Sequence, residues 1–300
     1  MAPSSSAPAP TTLVVGAVAY DPKVVLIWDG FRDWFRSQGL DVDYVLYSNY
    51  ERQVEALLAG HIDVAWNSPL AWARAQRLAA AAGKTVSQLA MRDTDCDLTS
   101  VIVVQAGSDI ESVADLAGRT VGVGAVDSPQ ATLIPLAHLR SLGLEPGTDF
   151  EVRYHDVAVG KHGDHVGGER DAAQALMAGE VDAACMIDGN HLLFTTEGTF
   201  PPGATRVLTQ TPLYDHCNFT ALSPPTESTG SASAGLLDRF EALLLAMSYD
   251  DPAVRHLLDL EGLTAWRKGR TSGYGPLEAA VEEQGFYDDE GHVTATDYRP

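Results

Sequence analysis

The chain has 300 residues and a formal net charge of −21, from 20 Lys and Arg against 41 Asp and Glu. That balance, with no basic cluster, excludes recognition of DNA, RNA or an anionic membrane surface, and the 45% apolar content excludes a wholly disordered chain. The length supports one large or two ordinary domains. The three cysteines, Cys96, Cys185 and Cys217, form no C-x-x-C pair and leave an odd thiol, which excludes a disulfide scaffold.

Residues 1–11 are Pro, Ala and Ser rich and read as a flexible tail. The tail has neither the basic start nor the apolar stretch of a secretory signal. The chain is therefore expected in the cytoplasm as written, or in the periplasm or outside the cell if a leader was removed. No run approaches the ~18 apolar residues of a membrane helix, so direct membrane insertion is not expected. From residue 12, strands and helices alternate. Thr12–Val18 reads as a buried strand. Lys23–Gln38 is a helix with Val24, Ile27, Trp28, Phe31, Trp34 and Phe35 at helical spacing, closed by Gly39. Val42–Ser48 is a strand, Tyr50–Ala59 a short helix ending at Gly60, and Ile62–Asn67 a third strand. Pro69 opens an Ala-rich helix to about Ala82. This order is that of a largely parallel sheet covered on both faces.

Leu98–Gln105 is a long β run, and a second unit comes after it. Thr120–Val126, Phe150–His155 and Val181–Ile187 read as strands, with helices over Pro129–Leu142 and Arg170–Ala178. Arg206–Thr211 and Asn218–Leu222 read as short returning strands and Ser223–Ser233 as a loop. Helices are expected at Leu236–Ser248, Pro252–Leu260 and Pro276–Gln284. The two units echo each other: VEALLAGHIDVAWN at 54–67 parallels AQALMAGEVDAACM at 173–186. Two copies point to two related α/β lobes rather than a solenoid.

The segments LLAGHIDVAWNSPLAW, SVIVV, DLAGRTVGVGAVDSPQATLIPLAHL and LMAGEVDAACMID, in this order, resemble the phosphate, phosphite and phosphonate-type solute-binding proteins of ABC importers. The resemblance covers about residues 12–286. It implies the type II periplasmic-binding-protein fold shared with transferrin: two α/β lobes, each a mixed, mainly parallel sheet flanked by helices, with a ligand cleft between them. Lobe I would be 12–104 plus 212–300, and lobe II 105–211.

Candidate ligand-binding residues then fall at strand ends and helix starts. Tyr20 ends the first strand. Asn67 and Ser68 precede Pro69, where free amides and a hydroxyl suit an oxyanion, although helix capping alone explains Asn or Ser there. Ser128, in Asp127-Ser128-Pro129, repeats that arrangement, with one hydroxyl where the family commonly has several. Trp66 and Trp72 are expected in the core. The segment from His155 to Arg170 packs Lys161, His162 and His165 into a Gly-rich loop. Its Lys and His residues suit an anion, whereas His162 and His165 with Asp164 or Asp156 suit a divalent metal, a solvated loop being the plain alternative. Asp188 lies beyond a strand end, with His191 beside it. Cys185 reads as a buried apolar residue. Cys96 and Cys217 each precede a returning strand. A Cys217 thiolate paired with His216 would be a nucleophile or soft-metal ligand, against a structural role favoured by the adjacent acids.

No dinucleotide fingerprint, Walker sequence, G-x-S-x-G or H-E-x-x-H motif is present. The expected function is a solute-binding protein closing two lobes around a small polar or anionic ligand, phosphonate-like or another small metabolite. An ABC permease is the expected partner, and a divalent metal is an open option. The alternative is a cytoplasmic biosynthetic enzyme, with or without a metal, built on the same fold, its active site in the cleft.

Overall fold

The computed structural model describes residues 12–156, 166–223, 232–296 and 298. In chain order the elements are β1 (Leu13–Val18), α1 (Lys23–Ser37), β2 (Val42–Tyr47), α2 (Tyr50–Ala59), β3 (Val64–Asn67), α3 (Pro69–Ala81), β4 (Val86–Gln88), β5 (Ala90–Arg92), β6 (Ser100–Gln105) and β7 (Thr120–Val123). They continue with α4 (Ile134–Ser141), β8 (Glu151–Tyr154), α5 (Val166–Ala178), β9 (Ala183–Ile187), α6 (Asp188–Glu197), β10 (Thr205–Gln210) and β11 (Asn218–Leu222). The last are α7 (Ala232–Ala246), α8 (Pro252–Glu261), β12 (Trp266–Lys268) and α9 (Gly275–Glu283). The chain divides into two compact units. Unit 1 holds residues up to Asn67, Leu78–Thr94 and Asn218–Arg270; unit 2 holds Ser68–Arg77, Asp95–Cys217 and the chain from Thr271.

The sheet of unit 1 runs β2-β1-β3-β11-β4, and that of unit 2 runs β8-β7-β9-β6-β10. Both share one plan. The strand that opens each unit's βαβ stretch (β1, β7) pairs in parallel with its neighbours on both sides, and the returning strands β11 and β6 add antiparallel edges. Parallel and antiparallel pairings are equal in number in each sheet, so the sheets are mixed without being mainly parallel. The returning strands enter against the βαβ direction, which the alternation of strand and helix alone does not reveal.

The sequence echo occupies equivalent places, α2–β3 in unit 1 and α5–β9 in unit 2. Gly60 and Gly179 both take φ +74°, where a left-handed residue ends a helix without a Cβ clash. The next amides, of His61 and Glu180, reach back to the carbonyls of Ala56 and Ala175 at 2.9 Å. The repeated Asp then explains itself. Asp63 gives its amide to the Val14 carbonyl and takes the Val14 amide on its carboxylate, both at 2.8 Å. Asp182 does the same with Thr120, again at 2.8 Å on both bonds. Each carboxylate thus joins the start of one strand to the start of its parallel neighbour.

Unit 1 fills its core with aromatic rings. Phe219 contacts Trp28, Trp66, Phe240 and Trp266 with ring centroids 4.7–6.0 Å apart. The core of unit 2 is mainly aliphatic, with Ile102, Val121, Val123, Leu136 and Leu139 in one cluster and Val101, Leu176 and Met186 beside Phe194 in another.

Several elements differ from the sequence reading. The expected helix over Pro129–Leu142 begins as a π turn, Pro129–Leu133, before α4. Pro135 has no amide to offer the Ala131 carbonyl, which accepts instead from Gly124 at 3.3 Å. α5 begins at Val166, so Glu169 is helical rather than in a loop. Asp188 opens a helix, α6, that the sequence reading lacked, because Gly189 and a Thr pair obscure its periodicity. β4, β5 and β12 are three residues each, too short to show alternation.

Replacing Asp182 by Ala removes a charge-assisted hydrogen bond and is expected to lower unfolding stability by about 1–3 kcal/mol. Asn keeps an acceptor oxygen and should recover most of that loss. Urea unfolding of D182A and D182N measures the difference, and equal losses in both would contradict the role of the acceptor.

Candidate functional site

The sequence candidates divide between the units. Tyr20 and Asn67 belong to unit 1. Tyr20 lies just past β1, with the Lys23 ammonium 5.9 Å from its ring centre. Asn67 is fully buried at the end of β3, where its oxygen accepts from Gln53 Nε2 at 2.8 Å and its Nδ2 donates to Thr220 Oγ1 at 2.9 Å. Its amide ties α2, β3 and β11 together. Trp66 and Trp72 are core residues, as expected.

Ser68, Ser128, Asp188 and Cys217 belong to unit 2. Ser68 and Ser128 share the pattern Ser-Pro-x-Ala, and each hydroxyl accepts from the amide three residues on, Ala71 or Ala131, at 3.1 Å. Both serines are fully buried, so capping is their visible work. Lys161, His162 and His165, with Asp164, lie outside the described residues. His155 is described, and its Nδ1 lies 3.0 Å from the Val123 carbonyl.

A connected polar network links three of these candidates inside unit 2. Asp188 Oδ2 accepts from Thr99 Oγ1 at 2.9 Å, and Thr99 accepts from Gln210 at 2.8 Å. The next residue, Ser100, donates to the Gln130 carbonyl at 2.5 Å and therefore accepts from the Tyr214 hydroxyl at 2.7 Å. Burial pushes the Tyr214 phenol far up, so it stays a donor. Gln130 sits two residues past Ser128, and its Oε1 lies 3.1 Å from His216 Nε2. His216 Nδ1 in turn lies 3.1 Å from Cys217 Sγ and 3.4 Å from Asp95 Oδ1. The described titratable groups able to converge on a metal are these three, Asp95, His216 and Cys217.

Glu169 closes the network on the other side of Gln130. Its Oε2 accepts from the Ile187 amide at 2.9 Å and Asn190 Nδ2 at 2.8 Å, while Gln130 faces the same carboxyl. Complete burial pushes Glu169 up to about 7, against the pull of those hydrogen bonds. Sequence reading passed over Asp95, Gln130, Glu169 and Tyr214. The usable signal was the pair of polar clusters around Cys96 and Cys217, each just ahead of a strand. Cys185 is buried in β9 as expected, and burial raises its thiol pKa, which makes it inert. A separate cavity of about 820 Å³ in unit 2, bordered by Leu136, Arg140, Phe150 and Phe286, includes none of the candidates.

Glu169 makes stability depend on pH. Its folded pKa lies above the ordinary value, so the folded state holds the extra proton and stability falls as pH rises from about 4.5 through 7. The loss amounts to roughly 3 kcal/mol. His138 and His191, lowered by burial, act with opposite sign below about 6.5, so the comparison with E169Q isolates the carboxyl. Urea midpoints between pH 5.5 and 8.5 should fall more steeply in the wild type than in E169Q; parallel profiles would contradict a protonated Glu169.

The chain is similar in fold to several solved binding proteins. PhnD1 from Prochlorococcus marinus, solved with methylphosphonate, is 18% identical with a TM-score of 0.64, covering 92% of this chain and 98% of that one. XAC2383 from Xanthomonas citri, solved with chloride, is 17% identical with a TM-score of 0.66, covering 91% and 98%. The periplasmic aliphatic sulphonate binding protein SsuA from Escherichia coli is 21% identical with a TM-score of 0.52, covering 91% and 84%. No curated protein sequence matches. A family model described as ABC transporter, phosphonate, periplasmic substrate-binding protein matches residues 16–274, and the chain belongs to that family.

Proposed function

We propose that this solute-binding protein takes a small tetrahedral oxyanion, a phosphonate, phosphate or sulfonate, and delivers it to an ABC permease outside the cytoplasmic membrane. Family membership supports transport over catalysis. The relatives solved with methylphosphonate or named for sulphonate carry oxyanions of the same shape. No described helix is long and apolar enough to cross a membrane, in keeping with a component that works beside a permease.

The observation that carries the ligand class is the capped helix start at Ser128. It lies beyond the β7 strand end, presents the positive end of a helical segment, and has the Gln130–His216 network beside it. Hydrogen bonding from amides and a hydroxyl can hold a charged oxygen although the chain as a whole is strongly acidic. Ser68 offers the same start on α3. Lys161, His162 and His165 are kept as proposed ligand contacts, with Tyr20 and Asp188.

Isothermal calorimetry with methylphosphonate, inorganic phosphate and an alkanesulfonate tests the reading, and saturable binding of at least one is expected. S128A should weaken that binding by about 1–3 kcal/mol, or about 5- to 150-fold. The lost cap should also cost about 1 kcal/mol of stability, so titrations belong at a temperature where the variant is folded. Absence of binding to all three anions, or unchanged affinity in S128A, would overturn the ligand class or the site respectively.

A further inference from the structure

We propose that Asp95, His216 and Cys217 form a binding site for a divalent transition metal of the zinc type. This inference does not rest on the solute reading. The three side chains are all buried, and one ligand atom from each lies within 4.8 Å of the others. The measured separations from His216 Nδ1, 3.1 Å to sulfur and 3.4 Å to the carboxylate oxygen, approach the ~3.3–3.6 Å that a four-coordinate zinc ion imposes on neighbouring ligand atoms. Imidazole with thiolate selects zinc-like ions over magnesium or calcium.

The surrounding residues orient the set. Gln130 Oε1 lies 3.1 Å from His216 Nε2. An amide oxygen only accepts, so a proton on Nε2 makes that bond, and Nδ1 is the ring atom aimed between sulfur and carboxylate. That is the tautomer a metal requires, fixed by an outer partner in the way metal-binding histidines usually are. The two chain segments are clamped as well. The His216 amide donates to the Asp95 carbonyl at 2.9 Å, and the Tyr274 hydroxyl donates to the His216 carbonyl at 2.5 Å. The Asp97 amide donates to Asp215 Oδ1 at 3.0 Å. Gly273 makes room for that carboxylate, since a Cβ there would overlap it. Three protein ligands leave one coordination position for water or an oxygen of a bound solute. Asp95 and Cys217 are the first and last residues of the long central stretch of unit 2, so a bound ion would tie its two ends.

The test uses the full chain, kept reduced by a non-chelating phosphine, stripped over chelating resin and titrated with Co²⁺ alone. One equivalent should bind, with thiolate-to-cobalt charge-transfer absorption and the intense visible bands of four-coordinate cobalt, and one equivalent of Zn²⁺ should displace it. C217S should abolish the charge-transfer band. D95N, which keeps the thiol and provides an independent reading if C217S fails to fold, should weaken cobalt binding by about tenfold or more. Circular dichroism of each metal-free variant checks the fold. Absence of stoichiometric binding, a six-coordinate spectrum without charge transfer, binding unchanged in D95N, or loss of binding in H162A/H165A with retention in C217S would overturn the assignment. Oxyanion calorimetry on the metal-free protein keeps failure here separate from failure of the solute reading.

Discussion

A carboxylate at the mouth of a strand pins one parallel strand pair in each sheet. Asp63 and Asp182 hold two parallel strands side by side through paired bonds to one neighbouring residue. A slip of one residue would turn the core side chains of the slipped strand outward, so the hydrophobic pattern and this local bond specify the same register. Everything beyond the strand ends depends on it: the Ser128 helix start lies past β7, and Asp188 lies past β9. The Ala-Gly-x-x-Asp sequence is thus a folding device used twice, with the glycine stopping the helix and the acid starting the next strand.

The polar network of unit 2 shows how buried groups constrain one another. Each has few partners, and in a weakly polar interior an unsatisfied one is costly. Ser100 gives its proton to a carbonyl and must receive Tyr214's. Gln130 Oε1 lies 3.1 Å from His216 Nε2, so the proton of that contact is the imidazole's.

Much of the fold was legible because its signals are local. The opening strands and helices obey apolar periodicity, and the duplicated motif announced two related units. The sheet order was less legible, since β6, β10 and β11 are placed by contacts far along the chain. Among the candidate residues, the Ser128 cap was readable from helix-start chemistry and Cys217 drew notice as a Cys beside a His. Glu169 was not: two preceding glycines read as loop, and only the fold shows its carboxyl buried against the end of β9. Asp95 was equally hidden, because its partnership with His216 spans more than a hundred residues. Lys161, His162 and His165 fall outside the described residues.

The π turn at Pro129–Leu133 has a further consequence. Such a turn amounts to one residue inserted into an α-helix, which rotates the residues before it by about 100° relative to those after it. Ser128 caps the turn and Gln130 lies in its first half; Leu136 and Leu139, which pack the aliphatic core, lie after it. The helical segment therefore carries two independent phase settings, one for its chemistry and one for its packing. Sequence drift that deletes one residue there would leave the core face intact while swinging the polar end to a different bearing, a route by which relatives on this scaffold could change ligand without relearning how to fold.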